Sequence, residues 1–152
     1  LSRQLDEADL ASLVQTFESV SADIVHGESA RLVKTLGDEA MFVADTPDHA
    51  ARIAVTLHQT HSRVERMPQM RIGLATGTVL NRMGDVFGTT VNRASRMTAI
   101  ARPGTTVVDS VTSEALHGAS AYEVDYHTRA LTPRPVRGLG IVRPYALVSD
   151  MD

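Results

Sequence analysis

From Asp6 to His26 the apolar residues Leu10, Leu13, Val14, Phe17, Val20 and Ile24 fall at three- and four-residue steps, with Asp6, Glu7 and Asp9 crowding the start. That period predicts an amphipathic helix with acids at its positive end, stopped by Gly27. The pattern then shortens, and Arg31–Thr35 and Ala40–Val43 read as two strands around a Leu36-Gly37-Asp38-Glu39 hairpin turn. After Pro47 the helical period returns through Ala50, Ile53, Ala54, Leu57 and Val64, and Met70–Ala75 alternates as a strand. Val79–Met83 is expected to pair back and to deliver the chain to a loop around Asp85. From Thr89 onward Val91, Ala94, Thr98 and Ala101 recur at helical spacing, so that stripe is expected to face a core. Pro103-Gly104 closes this helix, Thr105–Val108 is a strand and Asp109–Leu116 a short capped helix. Tyr122–Leu131 reads as extended, Thr132–Pro135 as an irregular connector and Arg143–Val148 as a last strand.

Strands alternating with helices, plus at least one hairpin, predict an α/β (α+β) sandwich: a mixed or antiparallel sheet with helices on one face, ferredoxin-like at its core. The 152 residues, 43% hydrophobic and 22% charged, suit one domain over residues 1–150. The absence of cysteine excludes a disulfide framework or a thiolate metal site and makes a reducing cytoplasm the expected setting. A net charge of −3 without a basic run excludes a broad nucleic-acid or anionic-membrane surface, while leaving room for a local phosphate site. No apolar stretch approaches the roughly 20 residues that span a bilayer, so no membrane contact is expected from this domain, though a longer parent protein could be membrane-attached. The start at Leu1 reads as the start of a piece.

Candidate chemistry gathers in two places. Asn92 and Arg96 stand four apart on the helix that begins near Thr89, so an amide and a guanidinium share a face, with Asp85 just upstream between Gly84 and Gly88. Lys34, Gly37 and Asp38 occupy the strand end and turn of the first hairpin, where alternation puts Lys34 and Leu36 on one face. Each group taken alone also reads as solvated surface. His58 and His61, one turn apart on a helix, lack a third metal ligand in view and read as solvated.

Taken together, Lys34-Thr35-Leu36-Gly37-Asp38 and Asp85-Val86-Phe87-Gly88, Val91-Asn92, Ala94-Ser95-Arg96 closely resemble the class III nucleotide cyclases, in particular bacterial homodimeric adenylate cyclases. The likeness runs the length of the chain, through Arg71–Gly77 and the closing Val136-Arg137-Gly138. It implies conversion of ATP to 3′,5′-cyclic AMP and pyrophosphate with two divalent ions, Mg²⁺ or Mn²⁺. By the same resemblance Asp38 is one of two metal-binding carboxylates, and Lys34 and Asp85 select adenine. Asn92 positions the ribose and Arg96 stabilises charge on the α-phosphate. The resemblance further implies a head-to-tail homodimer in which Asp38 of one protomer serves the site of its partner's Lys34, Asp85, Asn92 and Arg96.

The family's other metal aspartate lies on a strand that would precede Leu1, so the chain is expected to lack that first strand and to be inactive alone. Leu139 stands where many members carry a triphosphate-binding cation, leaving Arg137, and behind it Arg134 or Arg143, as the candidate contact. Two competitors are a non-catalytic cyclase-homology domain that dimerises and regulates a neighbour, and a guanylate or diguanylate cyclase. The first gives no duty to the matched polar residues, and a diguanylate cyclase gives none to Lys34, Asn92 and Arg96.

Overall fold

β1 (Arg31–Leu36) and β2 (Glu39–Val43) form the expected antiparallel hairpin. The computed structural model describes residues 30–36, 39–63, 69–119 and 126–149. The helix expected over Asp6–His26, the Gly37–Asp38 turn and Val64 lie outside the described residues. Pairing steps from Leu32↔Phe42 to Lys34↔Met41, so Val33 is an extra residue in β1, a bulge that the alternating sequence does not announce.

α1 (Pro47–Ser62) begins at Thr46, whose hydroxyl accepts from the His49 amide at 3.1 Å, with Pro47 at the first helical position. Thr46→Ala leaves that amide without its cap and is expected to lower unfolding stability by about 1 kcal/mol, read as a reduced urea midpoint at unchanged slope. β3 (Arg71–Leu74), β6 (Thr105–Val108), β10 (Tyr145–Ser149) and β7 (Tyr126–Ala130) make a four-stranded sheet in that order. The β3–β6 pair is parallel and the other two pairs are antiparallel, which makes the sheet mixed, as predicted.

Between β3 and β6 the chain forms a small hairpin, β4 (Leu80–Arg82) with β5 (Asp85–Phe87), and then α2 (Thr89–Ile100). α3 (Ser110–Ala119) follows β6. The Thr132–Pro135 connector proves to lead into a third hairpin, β8 (Arg134–Val136) with β9 (Gly140–Val142). Pro135, which argues against a strand in sequence, is tolerated because a two-stranded ribbon leaves edge positions needing no N–H.

The helices do not share one face of the sheet. Ile72, Leu74 and Val108 pack with Ile53, Ala54 and Leu57 of α1, and Leu116 of α3 joins Ala51 on that side. Val107 and Gly73, whose neighbours along the strands face α1, look the other way: Val107 packs with Met97 and Ala101, and Gly73 lies under Ala94 and Thr98. α2 therefore covers the opposite face, because successive strand residues point to opposite sides and both sides of β3 and β6 are apolar or tightly packed. Among the described residues, no helix is long and apolar enough to cross a membrane.

His61 is buried and His58 half-buried, where both were expected to be solvated. His61 is 2% exposed, with Nδ1 2.8 Å from the Leu57 carbonyl, and His58 Nε2 lies 2.9 Å from Thr106 Oγ1. His61 follows Leu57 by four and Ile53 by eight residues, so it continues the buried stripe of α1.

Candidate functional site

α2 places its residues by a division of faces. Thr90 and Met97 are buried and Val91, Ala94 and Thr98 half-buried, while Asn92 and Arg96 are exposed one turn apart on the remaining face. The amide and guanidinium thus stand together, as their spacing predicts. The helix starts at Gly88, whose φ of 125° and ψ of 179° suit glycine and strain any residue with a Cβ. That sharp entry lets a three-residue strand run directly into the helix.

Asp85 lies in that strand, not in a loop. It opens β5 across a two-residue Met83–Gly84 turn with φ of 53° and 82°, the left-handed pair that twists a tight hairpin correctly. The half-buried Asp85 accepts from the Val86 amide through Oδ1 at 2.8 Å, which orients the carboxylate against its own strand.

The first hairpin is tied to this one by Arg31. Its Nη1 donates to the Gly84 carbonyl and its Nη2 to Asn81 Oδ1, both at 3.1 Å. The β1 bulge sets the register so that positions 31, 34 and 36 stand opposite Val43, Met41 and Glu39. The strand of Lys34 is thereby fastened beside the strand of Asp85, a juxtaposition invisible in sequence because 53 residues separate Arg31 from Gly84. Asp38 lies outside the described residues. Among the described residues there is no group of three histidine, cysteine or acidic side chains able to hold a metal.

Arg137 is exposed in the turn of the β8–β9 hairpin. Leu139 is half-buried and packs against Met97, Ala101, Val107 and Val142, so it anchors that turn beneath α2. Arg134 Nε donates to the Thr132 carbonyl at 3.1 Å, and Arg143 is exposed.

Sequence reasoning passed over the polar residues that hold α2 from below. Arg93 donates from Nε to Asp109 Oδ2 at 3.0 Å and from Nη2 to the Thr76 carbonyl at 3.1 Å, and Thr90 Oγ1 donates to the Thr78 carbonyl at 2.8 Å. The only signal was Asp109 itself, legible as a helix cap. Its second partner comes from another helix.

Residues 1–149 match the family described as the adenylate and guanylate cyclase catalytic domain. The chain belongs to this family. An adenylate cyclase of Streptomyces coelicolor is 44% identical over 97% of this chain and 44% of its own length, and one of Streptomyces griseus is 41% identical over 97% and 46%. The cyclase domain thus spans less than half the length of these curated relatives. Its fold is shared with an adenylate/guanylate cyclase/hydrolase from Silicibacter pomeroyi, at a TM-score of 0.78 and 27% identity over 98% of this chain and 90% of that one.

Proposed function

We propose that this cyclase domain converts ATP to 3′,5′-cyclic AMP and pyrophosphate, as its curated relatives' names indicate for them. The observation that carries the reading is the pairing of Asn92 and Arg96 on the exposed face of α2, fed by the strand that bears Asp85. Cyclisation asks for in-line placement of a ribose hydroxyl against the α-phosphorus and for stabilisation of the negative charge that builds there. Asn92 offers an amide that both donates and accepts, suited to holding the ribose. Arg96 offers a permanent forked charge to the phosphoryl oxygens. Asp85, an acceptor, favours the amino group of adenine over the carbonyl of guanine, and Lys34 donates to a ring nitrogen.

Metal binding in this reading rests on Asp38, a hard oxygen donor suited to Mg²⁺ or Mn²⁺. Two such ions would neutralise the triphosphate and acidify the 3′-hydroxyl. Arg137 is the triphosphate contact on the β8–β9 turn.

The site is assigned to a head-to-tail homodimer interface. A guanidinium stabilises a transition state strongly only where water is excluded, yet Arg96 is exposed in the protomer, so a second surface must close over it. The β4–β5 hairpin beside it carries an apolar face fit for such contact: Leu80 is 65%, Met83 99% and Phe87 48% exposed. The setting proposed is the cytoplasm.

The test uses the natural chain that contains these residues, assayed with Mn²⁺ and either ATP or GTP. ATP should be turned over in preference to GTP. An Arg96→Ala chain and an Asp38→Ala chain should each be nearly inactive and recover part of the activity when mixed, because one composite site is then intact. Confirmed mixed dimers without recovery would refute the shared-site assignment, and a preference for GTP would refute the role of Asp85.

A further inference from the structure

One buried polar junction, among the described residues, is separate from those assigned to the reaction. Asp109 sits between β6 and α3, with its side chain 6% exposed. Oδ1 accepts from both the amide and the hydroxyl of Thr112, which caps α3. Oδ2 accepts from Arg93 of α2, and the Asp109 amide donates to the Leu74 carbonyl at the end of β3. Arg93 also reaches the Thr76 carbonyl, while the Thr76 and Thr112 hydroxyls lie 2.7 Å apart. A single residue thus joins the three elements, its carboxylate binding α3 and α2 and its backbone amide β3.

Arg93 is the anchored residue of α2 nearest in rotation to the exposed pair, about 100° from Asn92 and about 60° from Arg96 at 3.6 residues per turn. The second half of the helix is set by Gly73, where there is no space for a Cβ under Ala94 and Thr98. The first half is set by hydrogen bonds from Thr90 to the Thr78 carbonyl and from Arg93 to Asp109 and Thr76, with Thr90 also lying close over Gly77. A helix with side chains is about 10–12 Å across, so turning it by about 10° moves a side-chain tip about 1 Å. A displacement of that size lowers a positioned reaction about a hundredfold.

We propose that Asp109 is a positioning residue for the cyclase reaction, acting through Arg93 to hold α2 at the rotation in which Asn92 and Arg96 face the substrate together. It has a second effect. By neutralising Arg93, Asp109 keeps a cation one residue from Asn92 from drawing the phosphates to the wrong place. The inference rests on the roles proposed above for Asn92 and Arg96.

Asp109→Asn separates positioning from folding, because asparagine still caps α3 through its carbonyl but turns an amide donor toward Arg93. In the natural chain it should lower kcat for ATP about tenfold or more while KM rises less than about threefold. In an Arg96→Ala background the same change should lower kcat less than about threefold, because the group being positioned is gone. Arg93→Met, which leaves the cap untouched, should behave likewise, and Arg93→Lys, which keeps a cation beside Asp109, should recover most of the kcat. Equal kcat losses in both backgrounds, or a wild-type kcat in both Asp109→Asn and Arg93→Met, would overturn the inference while leaving the cyclase reading intact. If Arg96→Ala itself leaves kcat unchanged, the underlying reading falls and this inference with it.

Discussion

Arg96→Ala is expected to lower kcat for ATP by roughly 100- to 1,000-fold, the cost of removing one preorganised stabiliser of transition-state charge. The KM for ATP should change far less, because the negative charge it answers grows as the α-phosphorus is attacked and is weaker in the bound ground state. Stability should stay within about 0.5 kcal/mol of wild type, since the side chain is exposed and away from the core. Arg96→Lys should restore only part of the rate, because an ammonium cannot present two parallel donors to a phosphoryl group. Steady-state kinetics paired with thermal unfolding of the same preparations decides it. A loss of rate that tracks a loss of melting temperature would make Arg96 a structural residue and remove the guanidinium from the mechanism.

Gly73→Val should damage the fold more than any surface change in the site. Gly73 lies in β3 between Ile72 and Leu74, which pack with α1, and presents its own empty side to α2. A Cβ there would run into the backbone of Ala94 and Thr98. Backbone cannot rotate out of the way as a side chain can, so α2 has to lift from the sheet. Overpacking of this kind costs about 3 kcal/mol, which for a domain of this size lowers the melting temperature by roughly 6–12 °C. Activity should fall even at temperatures where the variant stays folded, because Asn92 and Arg96 ride on the displaced helix. Gly73→Ala should show the same signs more weakly. A Gly73→Val protein with the wild-type melting temperature would mean that α2 does not lie against β3.

The two substitutions act on different levels of one arrangement, and those levels differ in how far they could be read from the chain. The exposed pair was legible because helical geometry is local: residues four apart share a face, and the Val91, Ala94, Thr98 and Ala101 stripe marked which face was buried. Membership of the cyclase family was legible for a related reason. The polar residues around Lys34 to Asp38 and Asp85 to Arg96 form two short runs whose identities and spacing survive without knowledge of the fold. The bulge at Val33 was hidden, since nothing in Arg31–Leu36 marks which residue is extra, and pairing with Ala40–Val43 decides it. The β8–β9 hairpin was missed because Pro135 argues against a strand by the same rule that permits it at an edge. The histidines of α1 were misread because polarity suggested solvent, whereas His61 extends the Ile53 and Leu57 stripe and finds a carbonyl partner in its own helix.

By itself, then, the sequence determined the order along the chain of the three described helices and of the strands of the main sheet, the first hairpin, the mixed α/β character and the face on which Asn92 and Arg96 stand. These follow from periodicity, turn chemistry and spacing, which act over a few residues. Tertiary structure alone decided that α2 lies across the sheet from α1 and α3, that Arg31 binds the strand of Lys34 to the hairpin of Asp85, and that Asp109 holds Arg93. Each of these depends on contacts between residues far apart in the chain, and so on which strand edges and helix faces meet. No local pattern carries that information, because the same Arg31 or Asp109 would satisfy a solvated turn or a simple helix cap equally well.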